Sequence, residues 1–120
     1  MDITIKEIQE WEKKFALKKG LPPQKKDEVN EALIAGFLKL VEEVGELSDN
    51  ILRKRYDGCM EELSDIMIFT SKIGKLLEDY YNQPLLSDVI NAKIEHSEKR
   101  EFDKKKYKLK KHEEFNLTKK

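Results

Sequence analysis

Apolar residues recur at intervals of three and four along most of this 120-residue chain, and only five glycines and three prolines interrupt them. That period belongs to the helix and not to the strand. A first amphipathic stretch runs from about Thr4 to Lys18, with Ile5, Ile8, Trp11 and Phe15 on one side. Gly20 suits a helix end and Pro22-Pro23 forbids continuation, so residues 20–26 read as a linker. A second helix is expected from Asp27, a good N-cap, to about Arg53, with Leu33, Phe37, Leu40, Val41, Val44, Leu47 and Ile51 as its stripe. Asp57 is placed to cap a third, which carries Leu63, Ile66, Phe69, Ile73, Leu76 and Leu77 and stops at Asn82-Gln83-Pro84. Ser87 then caps a shorter fourth with Val89, Ile90 and Ile94. Period-2 alternation is missing. The expectation is an all-α, four-helix bundle-like domain over residues 1–102. Its core would be an antiparallel hairpin of the second and third helices, because their connection is short. Its spare apolar faces would lead it to form oligomers.

Charge is balanced in sum but not along the chain. Residues 1–98 carry 14 basic and 20 acidic residues, whereas 99–120 carry 10 and 4. The folded part is therefore acidic, which argues against nucleic acid as a partner. Residues 103–120 read as a lysine-rich tail, partly disordered or packed on another subunit. The one cysteine, Cys59, precludes an intramolecular disulfide and fits a small buried hydrophobe in a reducing, cytoplasmic setting. No apolar run nears the roughly 20 residues that a membrane helix needs, so no membrane is expected.

Acidic residues cluster where two helices should meet. The string LVEEVGELSD holds Glu42, Glu43 and Glu46, and MEELSDIMIF holds Glu61, Glu62 and Asp65. Three-residue spacing puts Glu43 with Glu46, and Glu62 with Asp65, on one side of each helix. At about 100° per residue, Glu62 falls inside the apolar arc of its helix and Glu43 borders the stripe of its own. One such pair is commonplace on a solvated face; two on consecutive helices are not. Like charges ~4 Å apart repel by about 1 kcal/mol in water and about 4 kcal/mol at an effective dielectric near 20. No cation near in sequence aims at the same face, since Arg53, Lys54 and Arg55 crowd the turn. A divalent metal resolves the conflict, and an all-carboxylate donor set suits Mg²⁺ or Mn²⁺. Zinc is disfavoured, because Cys59 has no thiol partner and His96 and His112 lie elsewhere. No Glu-x-x-His pair supports a di-iron bundle.

The pattern E-E-x-x-E at Glu42, Glu43 and Glu46, a gap of 15 residues, then E-x-x-D at Glu62 and Asp65 resembles the MazG-like all-α nucleoside triphosphate pyrophosphohydrolases. The likeness covers roughly residues 5–100, and Lys93 with Arg100 looks like the family's later basic motif; Ser97 stands where relatives often carry Asn. The resemblance implies hydrolysis of a nucleoside triphosphate between the α and β phosphorus, giving a monophosphate and pyrophosphate. It implies Glu43, Glu46, Glu62 and Asp65 as magnesium ligands, Lys93 and Arg100 on phosphate oxygens, and a homodimer or homotetramer. A triphosphate cannot approach bare carboxylates, so metal-activated water fits the same residues, with Glu42 or Glu43 as the proton acceptor. Neither GxxxxGK[ST] nor GxSxG is present.

Other features carry less. Trp11 is either a core aromatic or a platform for a base. Gly45, inside a helix, costs about 1 kcal/mol relative to Ala and would be explained by close helix approach. Two alternatives stand beside the hydrolase: a related enzyme acting on another substrate such as phosphoribosyl-ATP, and a non-enzymatic helical oligomerisation module whose acids pair with a neighbour's lysine-rich tail.

Overall fold

The computed structural model describes residues 2–20, 26–100, 102–103, 105 and 108–109. Its elements are four helices, α1 (Ile5–Lys18), α2 (Lys26–Leu52), α3 (Tyr56–Tyr80) and α4 (Leu86–Glu98), followed by a ladder of two-residue strands, β1 (Phe102–Asp103) and β2 (Lys108–Leu109). The expected all-α class holds. The short antiparallel ladder, pairing Phe102 with Leu109, is too brief for periodicity to reveal. The chain divides into two compact units, Met1–Gln83 and Pro84–Lys120, so α4 groups with the residues that follow it. The character assigned to the 103–120 tail lies largely outside the described residues.

Helix α1 begins in a capping box. The Thr4 hydroxyl accepts the Glu7 N–H and the Glu7 carboxylate accepts the Thr4 N–H, each at 3.1 Å, which satisfies two donors that the first turn leaves orphaned. The helix ends at Lys19, and Gly20 follows at φ +79°. It docks on α3 through Ile8 and through buried Gln9, whose Nε2 donates to the Ser71 carbonyl at 3.2 Å and to Glu78 at 2.9 Å.

Helices α2 and α3 pack on each other, with Gly36 against Ile73 and Asn50 against Gly58. A Cβ on Gly58 would lie 2.8 Å from Asn50 Nδ2, so a larger residue there would have to push the Asn50 amide aside. The turn between them is a Schellman-type closure: Lys54 adopts φ +59°, its N–H bonds the Ile51 carbonyl, and the Arg55 N–H bonds the Asn50 carbonyl at 2.8 Å.

Three expected caps are corrected. Arg55, not Asp57, flanks the start of α3; Asp57 sits inside the first turn and accepts the Gly58 N–H at 3.0 Å. The closure on Asn50 ties Arg55 at the boundary and moves the helix start forward. Helix α4 likewise begins before Ser87, because the Leu85 carbonyl already accepts the Asp88 and Val89 amides. The start of α2 at Lys26 lies one residue ahead of Asp27.

The apolar stripes are wider than the surfaces that cover them. Val29, Ile8 and Cys59 are the buried hydrophobic residues among those described. Leu33, Leu40 and Leu47 are half-buried. Phe37, Val41, Val44 and Ile51, expected beside them in the core, remain exposed, as do Tyr56, Met60, Leu63 and Met67 on α3. The reason is angular. Residues 36, 40, 43, 47 and 50 share the side of α2 that meets α3, and the 34, 37, 41, 44, 51 row lies about a quarter-turn away.

Candidate metal and phosphate site

In the C-terminal half of α2 and the N-terminal half of α3 the acidic residues come together. Ligand oxygens of Glu42, Glu43 and Glu46 lie within 4.8 Å of one another, and so do those of Glu43, Glu62 and Asp65. Glu43 belongs to both triads. Oxygens on opposite sides of one Mg²⁺, each at about 2.1 Å, are separated by about 4.2 Å. An upper limit of 4.8 Å admits that separation. All four carboxylates read from the sequence as a ligand set are therefore brought together, with Glu42 beside them.

Burial sorts these acids. Glu43 is 5% exposed; Glu62 is half-buried; Glu42, Glu46 and Asp65 are exposed. Glu62 Oε2 is buried and has no hydrogen-bond partner among the described residues. The neighbouring Glu43 carboxylate, then burial, then Glu46 push the Glu62 carboxyl up to about 7. Glu43 is held below its ordinary range, first by accepting from protonated Glu62 and then by Lys39, against the opposing effect of burial. A cation between the two carboxylates would relieve the repulsion that raises Glu62. An orphaned buried oxygen and an all-oxygen donor set fit a hard divalent ion.

A cation near in sequence does reach the cluster, contrary to expectation. Lys39 Nζ lies 3.3 Å from Glu43 Oε1 and 3.4 Å from Glu42 Oε1, and these carboxylates, Glu43 first, raise its pKa. Its position four residues before Glu43 was the available signal.

Beside the carboxylates opens a concavity of about 390 Å³, lined by Glu42, Glu46, Asp49, Asn50, Arg55 and Glu62, with Gly45 in its wall. A Cβ on Gly45 would meet nothing within 4 Å. Close helix approach therefore does not explain this glycine; its missing side chain faces open space because position 45 points away from α3. At the far end of the concavity Arg55 donates from Nε to Asn50 Oδ1 at 2.8 Å and from Nη2 to Asp49 Oδ2 at 2.6 Å. Arg53 Nε donates to Asp49 Oδ1 at 2.9 Å. The two guanidiniums, Arg53 first, hold the Asp49 carboxyl below the usual carboxylate range. Sequence reasoning left Arg55 among charges crowding a turn, because no local pattern announces a left-handed Lys54.

The remaining candidates lie elsewhere. Trp11, on α1, is half exposed and stacks on Phe15 with ring centroids 5.0 Å apart; it is not the core residue that helical spacing favoured, because α1 meets α3 through its Ile8–Gln9 side. Lys93 is exposed on α4 and Arg100 follows that helix half-buried. Both belong to the second unit, whereas the carboxylates belong to the first. Comparison of the chain with protein-family profiles, with curated proteins and with solved structures finds no match in any of the three.

Proposed function

We propose that this protein is a Mg²⁺-dependent nucleoside triphosphate pyrophosphohydrolase, with Mn²⁺ as an alternative ion, acting in the cytoplasm. The observation that supports this reading is the convergence of Glu43, Glu46, Glu62 and Asp65 from two helices, with a buried Glu62 oxygen left unpartnered. These four residues would hold the ion. Bound there, it would neutralise polyphosphate charge and activate a water for in-line cleavage between the α and β phosphorus. Glu43, common to both triads and held anionic, is best suited as a ligand. Glu42, outside the triad that contains Glu62, is then the carboxylate able to accept a proton from water. Lys93 and Arg100 are assigned to phosphate oxygens on the sequence resemblance alone, and Trp11, an exposed aromatic, is assigned to the base as a stacking platform. The contacts Gly36–Ile73, Glu43–Glu62 and Asn50–Gly58 support the reading of α2 and α3 as an antiparallel hairpin.

Purified protein incubated with a panel of nucleoside triphosphates, with and without Mg²⁺, tests the reading. Metal-dependent release of pyrophosphate is expected. Release of orthophosphate, or turnover that ignores metal, would overturn it. The same panel extended to phosphoribosyl-ATP separates the related-substrate alternative.

A second reading has its own observation. Phe37, at 57% exposure, is joined by Leu38, Val41 and Val44 on α2 and by Met60, Leu63 and Met67 on α3 as exposed apolar side chains. This supports a homodimer or homotetramer and is equally what a non-enzymatic oligomerisation module would need. That module predicts metal-independent, salt-sensitive assembly and no hydrolysis.

A further inference from the structure

The concavity beside the carboxylates is lined by four acids and a single cationic side chain, Arg55. An anion has no reason to enter such a space unless a metal covers the carboxylates, and a bare cation has no use for the guanidinium. A metal-bound anion satisfies both. How Arg55 is held says which kind. Its Nε and Nη2 donate to Asn50 Oδ1 and Asp49 Oδ2, which together occupy the side-on edge of the guanidinium. The end-on edge, Nη1 with the second Nη2 hydrogen, has no bond to any described residue. That edge matches two oxygens of one phosphoryl group, the fork geometry that a lysine cannot reproduce.

The clamp is built rather than incidental. Asn50 anchors Arg55 twice, accepting its backbone N–H on the carbonyl at 2.8 Å and its Nε on Oδ1. Left-handed Lys54 makes that closure, and Gly58 leaves room for the Asn50 amide. Asp49 is bonded to Arg53 as well, so the carboxylate that holds Arg55 is itself fixed in place. Arg53 carries the same charge on the same carboxylate but does not line the concavity.

We propose that Arg55 is a phosphate-binding residue of this site, its end-on edge gripping two nonbridging oxygens of a metal-bound polyphosphate. The proposal deepens the pyrophosphohydrolase reading and rests on it. Inorganic triphosphate is the suitable probe, because it carries every phosphate of the substrate and no base. Its affinity in saturating Mg²⁺ is measured calorimetrically for wild type, R55M, R55K and R53M, with helical content checked by circular dichroism. Loss of a two-point, charge-assisted grip should weaken binding about tenfold to a hundredfold in R55M. R55K, a point charge, should fall between, and R53M should stay within about twofold of wild type. Wild-type affinity in R55M would overturn the proposal, and so would an equal loss in R53M, which would reduce it to the general charge of the turn. If R55M fails to fold, R55K decides: a loss of about threefold or more supports the clamp, and unchanged affinity refutes it. Wild type that binds no triphosphate at all defeats the pyrophosphohydrolase reading itself, an outcome distinct from a wild type that binds and an R55M that binds as well.

Discussion

Glu43 of α2 and Glu62 of α3 form a carboxylate–carboxyl pair across the helix interface, Glu62 raised to about 7 and Glu43 lowered by the same contact. A metal ion between them would relieve the same repulsion. The consequences are measurable without knowing the substrate.

Stability without metal should fall as pH rises. For Glu62 the folded pKa lies above the unfolded value, so the folded protein binds more protons between about 4.5 and 7, and its contribution is lost as pH climbs through that window. Glu43, shifted the other way, contributes above its unfolded value and loses that contribution only in more acid solution. Melting temperatures measured in chelator should therefore drop between pH 5 and about 7.5 more steeply for wild type than for E62Q, which cannot titrate. Saturating Mg²⁺ should flatten the wild-type profile. Parallel profiles for the two proteins in chelator would contradict the pairing.

Removing a ligand should separate activity from folding. E46Q and D65N are each expected to lower metal-dependent pyrophosphate release by about a hundredfold or more, the scale lost when charge stabilisation fails in a transition state. Both residues are exposed, so helical content should be unchanged. In chelator their melting temperatures should match or exceed that of wild type, since each substitution removes a repelling charge. Retained turnover in both would place the chemistry elsewhere.

The two helical glycines near the site should respond in opposite directions. Position 45 has open space around it, so G45A should stabilise the fold by about 0.5–1 kcal/mol through helix propensity. At position 58 a methyl group would meet Asn50 Nδ2 at 2.8 Å. G58A should therefore destabilise, by about 1–3 kcal/mol if overpacking governs. It should also weaken binding of triphosphate, because Asn50 holds Arg55. Denaturant midpoints for the two variants give the test; equal shifts would mean that the Asn50 contact is not tight.

The helices and the acidic group were legible because both depend on spacing within one element. Apolar intervals located α1 to α4 to within a few residues, and i, i+3 acids placed Glu43 with Glu46 and Glu62 with Asp65. What escaped depends on three dimensions or on local backbone state. The stripe on α2 is too broad for one neighbour, so sequence alone could not say that Leu40 and Leu47 are sheltered while Phe37 and Val44 stay open. Arg55 enters the site only through a left-handed Lys54, a conformation more usual for glycine. Lys39, by contrast, is legible, because it stands one helical turn before Glu43 and i, i+4 spacing brings the two together. The Asp57 and Ser87 caps failed for a related reason: good capping residues stood near boundaries that backbone closures had already fixed.

The most direct measurement is a titration of the protein with Mn²⁺, followed by electron paramagnetic resonance at pH 6 and pH 8, for wild type and for a variant carrying E43Q with E62Q. Wild type should bind at least one ion in competition with Mg²⁺, more tightly at pH 8 because the ion must displace the Glu62 proton, and the variant should bind none at the same concentrations. Equal binding by the two proteins, or free Mn²⁺ throughout the wild-type titration, would contradict the account.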